Sequence, residues 1–275
     1  MLEIFEWLIA YSARASLLCV ATLLILVPLK QVSASMRSGI IFAGTVGAIL
    51  LPMTVGILPP ISLAGFFSGE VTQSIPLENV MTLSGGREGL IGHQVAPDIL
   101  DHAGMAGVSI QQNAETPWWV TFLVVGWLCG VVASLALTGV RFLSVLRLRA
   151  QSRRLSPGHL LVMEANTAAA SLGYRRALDV RVSERVEVPS AIGLGFGALL
   201  LPIGFEELDP VSRRAVLTHE CAHLRRRDSL VQFLIVLCRC IHWFNPLFLA
   251  LDRAFNAEAE KACDDQVIGC GISPE

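Results

Sequence analysis

Three runs of the chain are too long and too apolar to hide in the core of a small soluble domain. Residues 8–29, 39–60 and 117–140 each hold about 22 residues or slightly more with almost no charge, enough at about 1.5 Å per residue to cross a hydrocarbon layer roughly 30 Å thick. They predict three transmembrane helices, so part of the fold is a membrane helical bundle. Composition agrees: 53% of residues are hydrophobic and 16% charged, where soluble domains carry about a quarter charged. Arg14 interrupts the first run near one end, from which its guanidinium can snorkel to the interface. Glu3 and Glu6 stand where a signal peptide has basic residues, and no small-residue cleavage site precedes Pro28. The first helix is therefore expected to stay in the membrane rather than be removed.

Orientation follows from the arginines. Lys30 and Arg37 lie between the first two runs, and Arg141, Arg147, Arg149, Arg153 and Arg154 follow the third. Residues 61–116 hold Glu70, Glu78, Glu88, Asp98, Asp101 and Glu115 against Arg87 alone. The preference of basic loops for the cytoplasm predicts the N-terminus and residues 61–116 outside, and residues 141–275 inside. Trp118 and Trp119 fit the outer interface of the third helix, where amphipathic rings gather. His93 and His102 in the outer loop read as solvated side chains. A net charge of -2 gives no sign of direct nucleic-acid binding. The seven cysteines lie in apolar runs or near the motif described next, and none lies in residues 61–116, which predicts reduced, buried thiols.

After the basic stretch the composition becomes that of a small α+β domain. "MEANTAAASLGY" predicts a helix, while "ALDVRVS" and "VPSAIGLGFGALLLP" carry the apolar and β-branched residues of strands. Gly193, Gly195 and Gly197 read as bends or close backbone approaches; no helix start follows them directly, which argues against a phosphate loop. Asp209 and Pro210 are a good N-cap and first position for a helix.

That helix contains His-Glu-Cys-Ala-His, an HExxH pattern. His219 and His223, four residues apart, project from one face, so two imidazole nitrogens can meet one Zn²⁺. Glu220 then lies beside the metal, placed to take a proton from the attacking water and pass it to a leaving amine. Chance produces the pattern in about one chain in a hundred of this length, and a capped helix with acids downstream favours a metallopeptidase site. Arg225, Arg226 and Arg227 read as an interfacial basic cluster. For the third ligand His242, Glu258, Glu260, Asp264 and Asp265 are candidates. Between them and the motif runs "SLVQFLIVLCRCIHWFNPLFLAL", residues 229–251, which as one helix would be about 33 Å long and would carry later ligands across the membrane. Asn245 and Pro246 offer a place for the chain to turn back, and Arg239 and His242 sit poorly in a lipid-exposed span.

The segments "VPSAIGLGFGALLLP", "HECAHLRRRD", "HWFNPL" and "EKACDDQVI" together resemble the BlaR/MecR-type membrane metallopeptidases, antibiotic-sensing signal transducers of bacteria. The resemblance implies a gluzincin-like zinc peptidase domain on the cytoplasmic side of the bacterial inner membrane, carrying an HExxH helix and a small β-sheet. It implies one zinc ion per chain held by His219, His223 and Glu260, with Glu220 catalytic and Asp264 supporting the ligands. It also implies a protein substrate, a transcriptional repressor, bound in extended form along the strand near Ser190–Gly193. With Glu260 as the third ligand, residues 229–257 are expected to form a membrane-associated helical hairpin. The sequence ends at Glu275 without a penicillin-binding sensor domain, so β-lactam sensing by an acylated serine is not among the expectations. Two other readings share these residues: a quality-control protease of the HtpX type, and an inactive membrane scaffold. "HWFNPL" and the Cys-Asp-Asp segment argue against the first, and the intact His219, Glu220, His223 and Glu260 against the second.

Overall fold

The computed structural model describes residues 2–51, 117–193 and 197–272. The expected outer loop with His93 and His102, the last part of the expected second span, and Gly195 lie outside the described residues. Helix α1 runs over Leu2–Leu26 and α2 over Ala34–Leu50. Helix α3 runs over Trp118–Gln151. Within these, Ile4–Leu26 and Trp118–Gln151 are long and apolar enough to cross a membrane, and α2 is a shorter apolar helix. Two boundaries differ from expectation. Helix α2 begins five residues before the apolar run, because the Ser33 side chain accepts from the Met36 N–H and caps it there. Arg37 is consequently helical rather than in a turn. Helix α3 continues eleven residues past Val140, since the arginines and leucines that follow are good helix formers with no proline among them. The 117–140 limit follows from hydropathy, which reports the membrane and not the helix.

Past α3, a four-stranded sheet has the order β1-β2-β4-β3, with β1 Arg153–Arg154, β2 Asp179–Ser183, β3 Ser190–Ile192 and β4 Ala198–Pro202. Strands β2 and β4 are parallel, while β1 and β3 are antiparallel to their neighbours. Ala198 to Leu201 are buried without alternation, as expected of a central strand covered on both faces. Asp179 sits at the foot of α3, where Arg149, Arg154 and Arg181 all reach it within 3.1 Å. Burial raises the Asp179 carboxyl, but hydrogen bonds from Arg149 and Arg181 outweigh it and hold the group below the usual carboxylate range. At Gly197 a Cβ would stand 2.4 Å from the Tyr174 hydroxyl, so this position needs the close approach only glycine allows.

Helix α4, Leu160–Ser171, and helix α5, Pro210–Arg226, cover the sheet and share its core of Leu161, Leu199, Leu201, Leu217 and Cys221. Asp209 caps α5 by accepting from the Val211 and Ser212 N–H groups. Arg213, buried, grips Glu164 of α4 at 2.6 and 2.7 Å, a bidentate pair that fixes the two helices' relative position. One residue later than α5, at Arg227, the backbone turns left-handed with φ 60°, and α6, Asp228–Ile241, starts at once.

The apolar run from Ser229 to Leu251 is not one helix. It breaks after Ile241, and α7, Pro246–Gly269, returns. Asn245 caps α7 through Leu247 N–H and donates to Ser16 of α1 at 2.8 Å. Trp127 of α3 donates to the Ile241 carbonyl at 3.1 Å, and Trp243 donates to the Trp127 carbonyl at 3.3 Å. The tip is thus clasped by α1 and α3. A second core joins the hairpin to α1 and α2: Tyr11, Ala15 and Ile41 meet Ile235, Phe248 and Phe255.

Gly130 faces this clasp: a Cβ there would meet the Trp243 indole at 2.2 Å, whereas Gly126 has nothing within 4 Å. Gly130→Val should destabilise the purified protein by about 1–3 kcal/mol through overpacking, read as a lowered Tm. Gly126→Val, one helical turn away, should leave the Tm in place.

Candidate metal centre

Helix α5 presents His219 and His223 on one face, as the spacing predicts. Their Nε2 atoms lie 3.2 Å apart. Because α7 returns, Glu260 lies against them, with its carboxylate oxygens 3.3 Å from His219 Nε2 and 3.7 Å from His223 Nε2. His219, His223 and Glu260 form one group of the chain's side chains that could hold a metal ion. Donor atoms held about 2.0–2.1 Å from a tetrahedral zinc ion stand roughly 3.3 Å from one another, and these three already have nearly that spacing. Two imidazole nitrogens and a carboxylate are also a donor set that zinc accepts.

Each histidine is turned toward this point by an acid behind it. Asp264 meets His219 Nδ1 at 3.0 Å, and Asp228 meets His223 Nδ1 at 2.9 Å. An imidazole that donates Nδ1–H to a carboxylate leaves the Nε2 lone pair free for a metal. Burial lowers the pKa of His223, but the hydrogen bond and charge of Asp228 prevail and the net shift is upward. Asp228 is gripped by Arg226 Nε at 3.1 and 3.2 Å, and Arg226 also donates to Ser38 of α2 at 2.8 Å. Arg226 is therefore an internal strut, which corrects its reading as one of three interfacial arginines. Arg225 instead donates to Gln266.

His223, Asp228 and Cys263 make another group that could hold a metal. Burial pushes the Cys263 thiol well up, with the Asp228 charge adding to it. Held as a thiol and 3.8 Å from Asp228, Cys263 acts as a weak donor that completes the Asp228 shell.

Glu220, next to His219 on α5, lines the same cleft as the two histidines and Glu260. Burial pushes its carboxyl up, opposed by the neighbouring histidines and by a hydrogen bond from the Ala191 backbone N–H. Ala191 belongs to β3, which among the described residues pairs only with β4. A cleft of about 470 Å³ opens between this free strand edge and the hairpin, lined by Pro189, Ser190 and Ala191 on one wall and Gln232, Phe255 and Asn256 on the other, with the histidines and Glu220 at its floor.

The remaining ligand candidates lie elsewhere. Glu258 is paired with Arg37 at 3.1 Å and Lys261 at 3.0 Å. His242 is buried at the hairpin tip, stacked on Phe248 at 4.3 Å, about 20 Å from Glu260 along α7. Asp265 joins neither metal-competent group among the described residues. Asp228 was missed from sequence because it lies beyond the end of α5, and only the left-handed turn at Arg227 points it back at His223.

The class of protein that these features fit is the metallopeptidases, and comparison with known proteins agrees. The chain belongs to the BlaR1 peptidase M56 family, whose model matches residues 57–271. It is 24% identical over 161 residues to the regulatory protein BlaR1 of Bacillus licheniformis, an alignment covering 58% of this chain and 26% of that protein. It is 25% identical over 96 residues to the methicillin resistance mecR1 proteins of Staphylococcus aureus and Staphylococcus epidermidis, covering 34% of this chain and 16% of theirs. The chain thus aligns with about a quarter or less of the length of these relatives.

The burial that surrounds the histidines predicts a pattern of thiol reactivity. Cys221 and Cys263 are buried and Cys270 is half-exposed, and burial pushes the Cys221 thiol up to about 12. Iodoacetamide on the folded protein should modify Cys270 well before Cys221 or Cys263, with the latter two reacting only on denaturation, as read by peptide mass spectrometry.

Proposed function

We propose that this chain is a zinc-dependent endopeptidase of a bacterial cytoplasmic membrane that cuts a cytoplasmic regulatory protein, a transcriptional repressor, as part of a signalling circuit. The observation that carries the reading is the convergence of His219, His223 and Glu260 beside Glu220, in a cleft that runs along a free strand edge. The similarity to a regulatory protein and to methicillin resistance proteins supports the regulatory role. In this reading α1, α2 and α3 cross the membrane, residues 61–116 are outside, and the sheet with α4 and α5 is inside. The α6–α7 hairpin is embedded from the cytoplasmic side.

His219, His223 and Glu260 would hold the zinc, with Asp264 and Asp228 fixing the imidazoles. When bound, zinc supplies Lewis acidity toward the scissile carbonyl and lowers the pKa of water in the site. The substrate strand adds to the exposed edge of β3, where main-chain hydrogen bonds align it without regard to side chains. Glu220 takes a proton from the attacking water and delivers it to the amine that leaves. Its buried setting favours the protonated form and so makes it the better base for taking that proton from the water.

Three variants separate these roles. Glu220→Gln should keep its zinc and lose proteolysis, while Glu260→Ala should lose both. Asp228→Asn should weaken zinc about 10–100-fold while leaving the ligands in place. Zinc content by elemental analysis, together with new protein N-termini in cells expressing the chain or its Glu220→Gln form, measures each. Equal cleavage by the wild type and Glu220→Gln would reject the mechanism, and full zinc in Glu260→Ala would reject the ligand set.

A further inference from the structure

Helix α3 and the α6–α7 hairpin enclose a groove of about 490 Å³ that the peptidase site does not use. On α3 its wall is Ser134, Leu137, Thr138 and Arg141, which at spacings of three, four and seven residues form one stripe. Arg239 of α6 and Trp243, Phe244 and Leu249 of the hairpin face it. Thr138 and Cys240 pin the walls together at 3.4 Å, and the Trp243–Trp127 hydrogen bond closes the end nearest the hairpin tip.

The polarity of the groove is graded. Arg141 is exposed and has no ion-pair partner among the described residues. Arg239 has one, Asp252, at 2.7 Å. Among the described residues no carboxylate lines the groove itself. Two guanidinium groups against one acid leave an excess positive charge next to an apolar trough. Arg141 follows Trp118 by about 35 Å of helix, a little more than the roughly 30 Å of a bilayer's hydrocarbon layer. In the membrane orientation proposed above, on which this inference rests, Arg141 lies at the level of the cytoplasmic headgroups, and the trough runs from there past Arg239 toward the hairpin tip.

We infer that this groove binds one anionic phospholipid of the cytoplasmic leaflet, with its phosphate on Arg141 and Arg239 and an acyl chain along Leu137, Leu249, Trp243 and Phe244. Guanidinium is suited to phosphate because it offers paired N–H donors in a fork, and basic pockets between transmembrane helices on the cytoplasmic side are a recurring way to hold acidic headgroups. A zwitterionic lipid would leave the excess charge unbalanced. A free phosphate would leave the trough unfilled. The lipid would therefore wedge α3 to the hairpin that carries Glu260.

Native mass spectrometry of the full chain in detergent, titrated with phosphatidylglycerol or phosphatidylcholine, tests this. The expected result is one phosphatidylglycerol retained per chain at concentrations where phosphatidylcholine is not. Arg141→Gln, a surface change, should weaken that binding about tenfold, the size of one charge-assisted hydrogen bond. Arg147→Gln, on the same helix but outside the groove, should leave it unchanged, and inorganic phosphate should not compete. Equal binding of the two lipids, equal loss in both arginine variants, or displacement by inorganic phosphate would overturn the assignment. Alkaline carbonate extraction of cell membranes separates the two levels of failure. A chain released by carbonate refutes the membrane reading and the site with it, whereas a chain that stays inserted but shows no lipid preference refutes the site alone.

Discussion

A helix that reached Ile241 and went on would end far from where it began, and the reversal at residues 242–245 prevents this. Pro246 has no N–H to offer a preceding turn and pushes Asn245 out of helical geometry. The Asn245 side chain then starts the next helix and ties it to Ser16. A proline break alone would leave the direction of return open. The hydrogen bonds from Trp127 to the Ile241 carbonyl and from Trp243 to the Trp127 carbonyl, with the stacking of His242 on Phe248, fix it. Glu260 meets His219 and His223 because of that fixed return, and the cleft exists because α6 and α7 form its far wall.

The centre on α5 depends on a second reversal, sharper than the first. Arg227 takes a left-handed conformation that costs an L-residue on the order of 1 kcal/mol, and in return Asp228 folds back on His223. Arg226 then spans from Asp228 to Ser38, so the acid that orients one imidazole is fastened to a helix of the bundle. The Arg37–Glu258 pair makes a parallel link from α2 to α7. Helices from the apolar N-terminal region and those of the catalytic fold are therefore one packed unit, and movement of α2 would be felt at both sides of the proposed metal site. The Ala191 N–H performs the same service from the sheet by reaching Glu220.

Much was legible because it is local. Apolar length reveals membrane-competent helices through the transfer energy of consecutive side chains. Asp209 and Pro210 mark a helix start because capping needs only the next three residues. The four-residue spacing of His219 and His223 sets their common face through helix geometry alone. Strand β4 was legible from its continuous apolar run, and Gly197 from its lack of a side chain. Helix ends were less so: α2 and α3 extend beyond their hydrophobic limits because caps and helix propensity, not hydropathy, decide where a helix stops.

The sequence by itself determined the chemical set: two histidines at helical spacing, a glutamate beside the first, a supply of acids downstream, and a proline at which the intervening apolar run could fold back. Which acid completes the group was not a local matter. Glu258, Glu260, Asp264 and Asp265 sit within two turns of one helix and differ little in intrinsic chemistry, so only the rotation of α7 against α5 separates them. Packing of Phe248, Leu251 and Phe255 into the second core sets that rotation. It turns Glu258 toward Arg37, Glu260 toward the two Nε2 atoms and Asp264 behind His219. The strut from Ser38 through Arg226 and Asp228 to His223 joins residues far apart in the chain, and long-range contacts of that kind are decided by tertiary structure because no local rule brings their elements together.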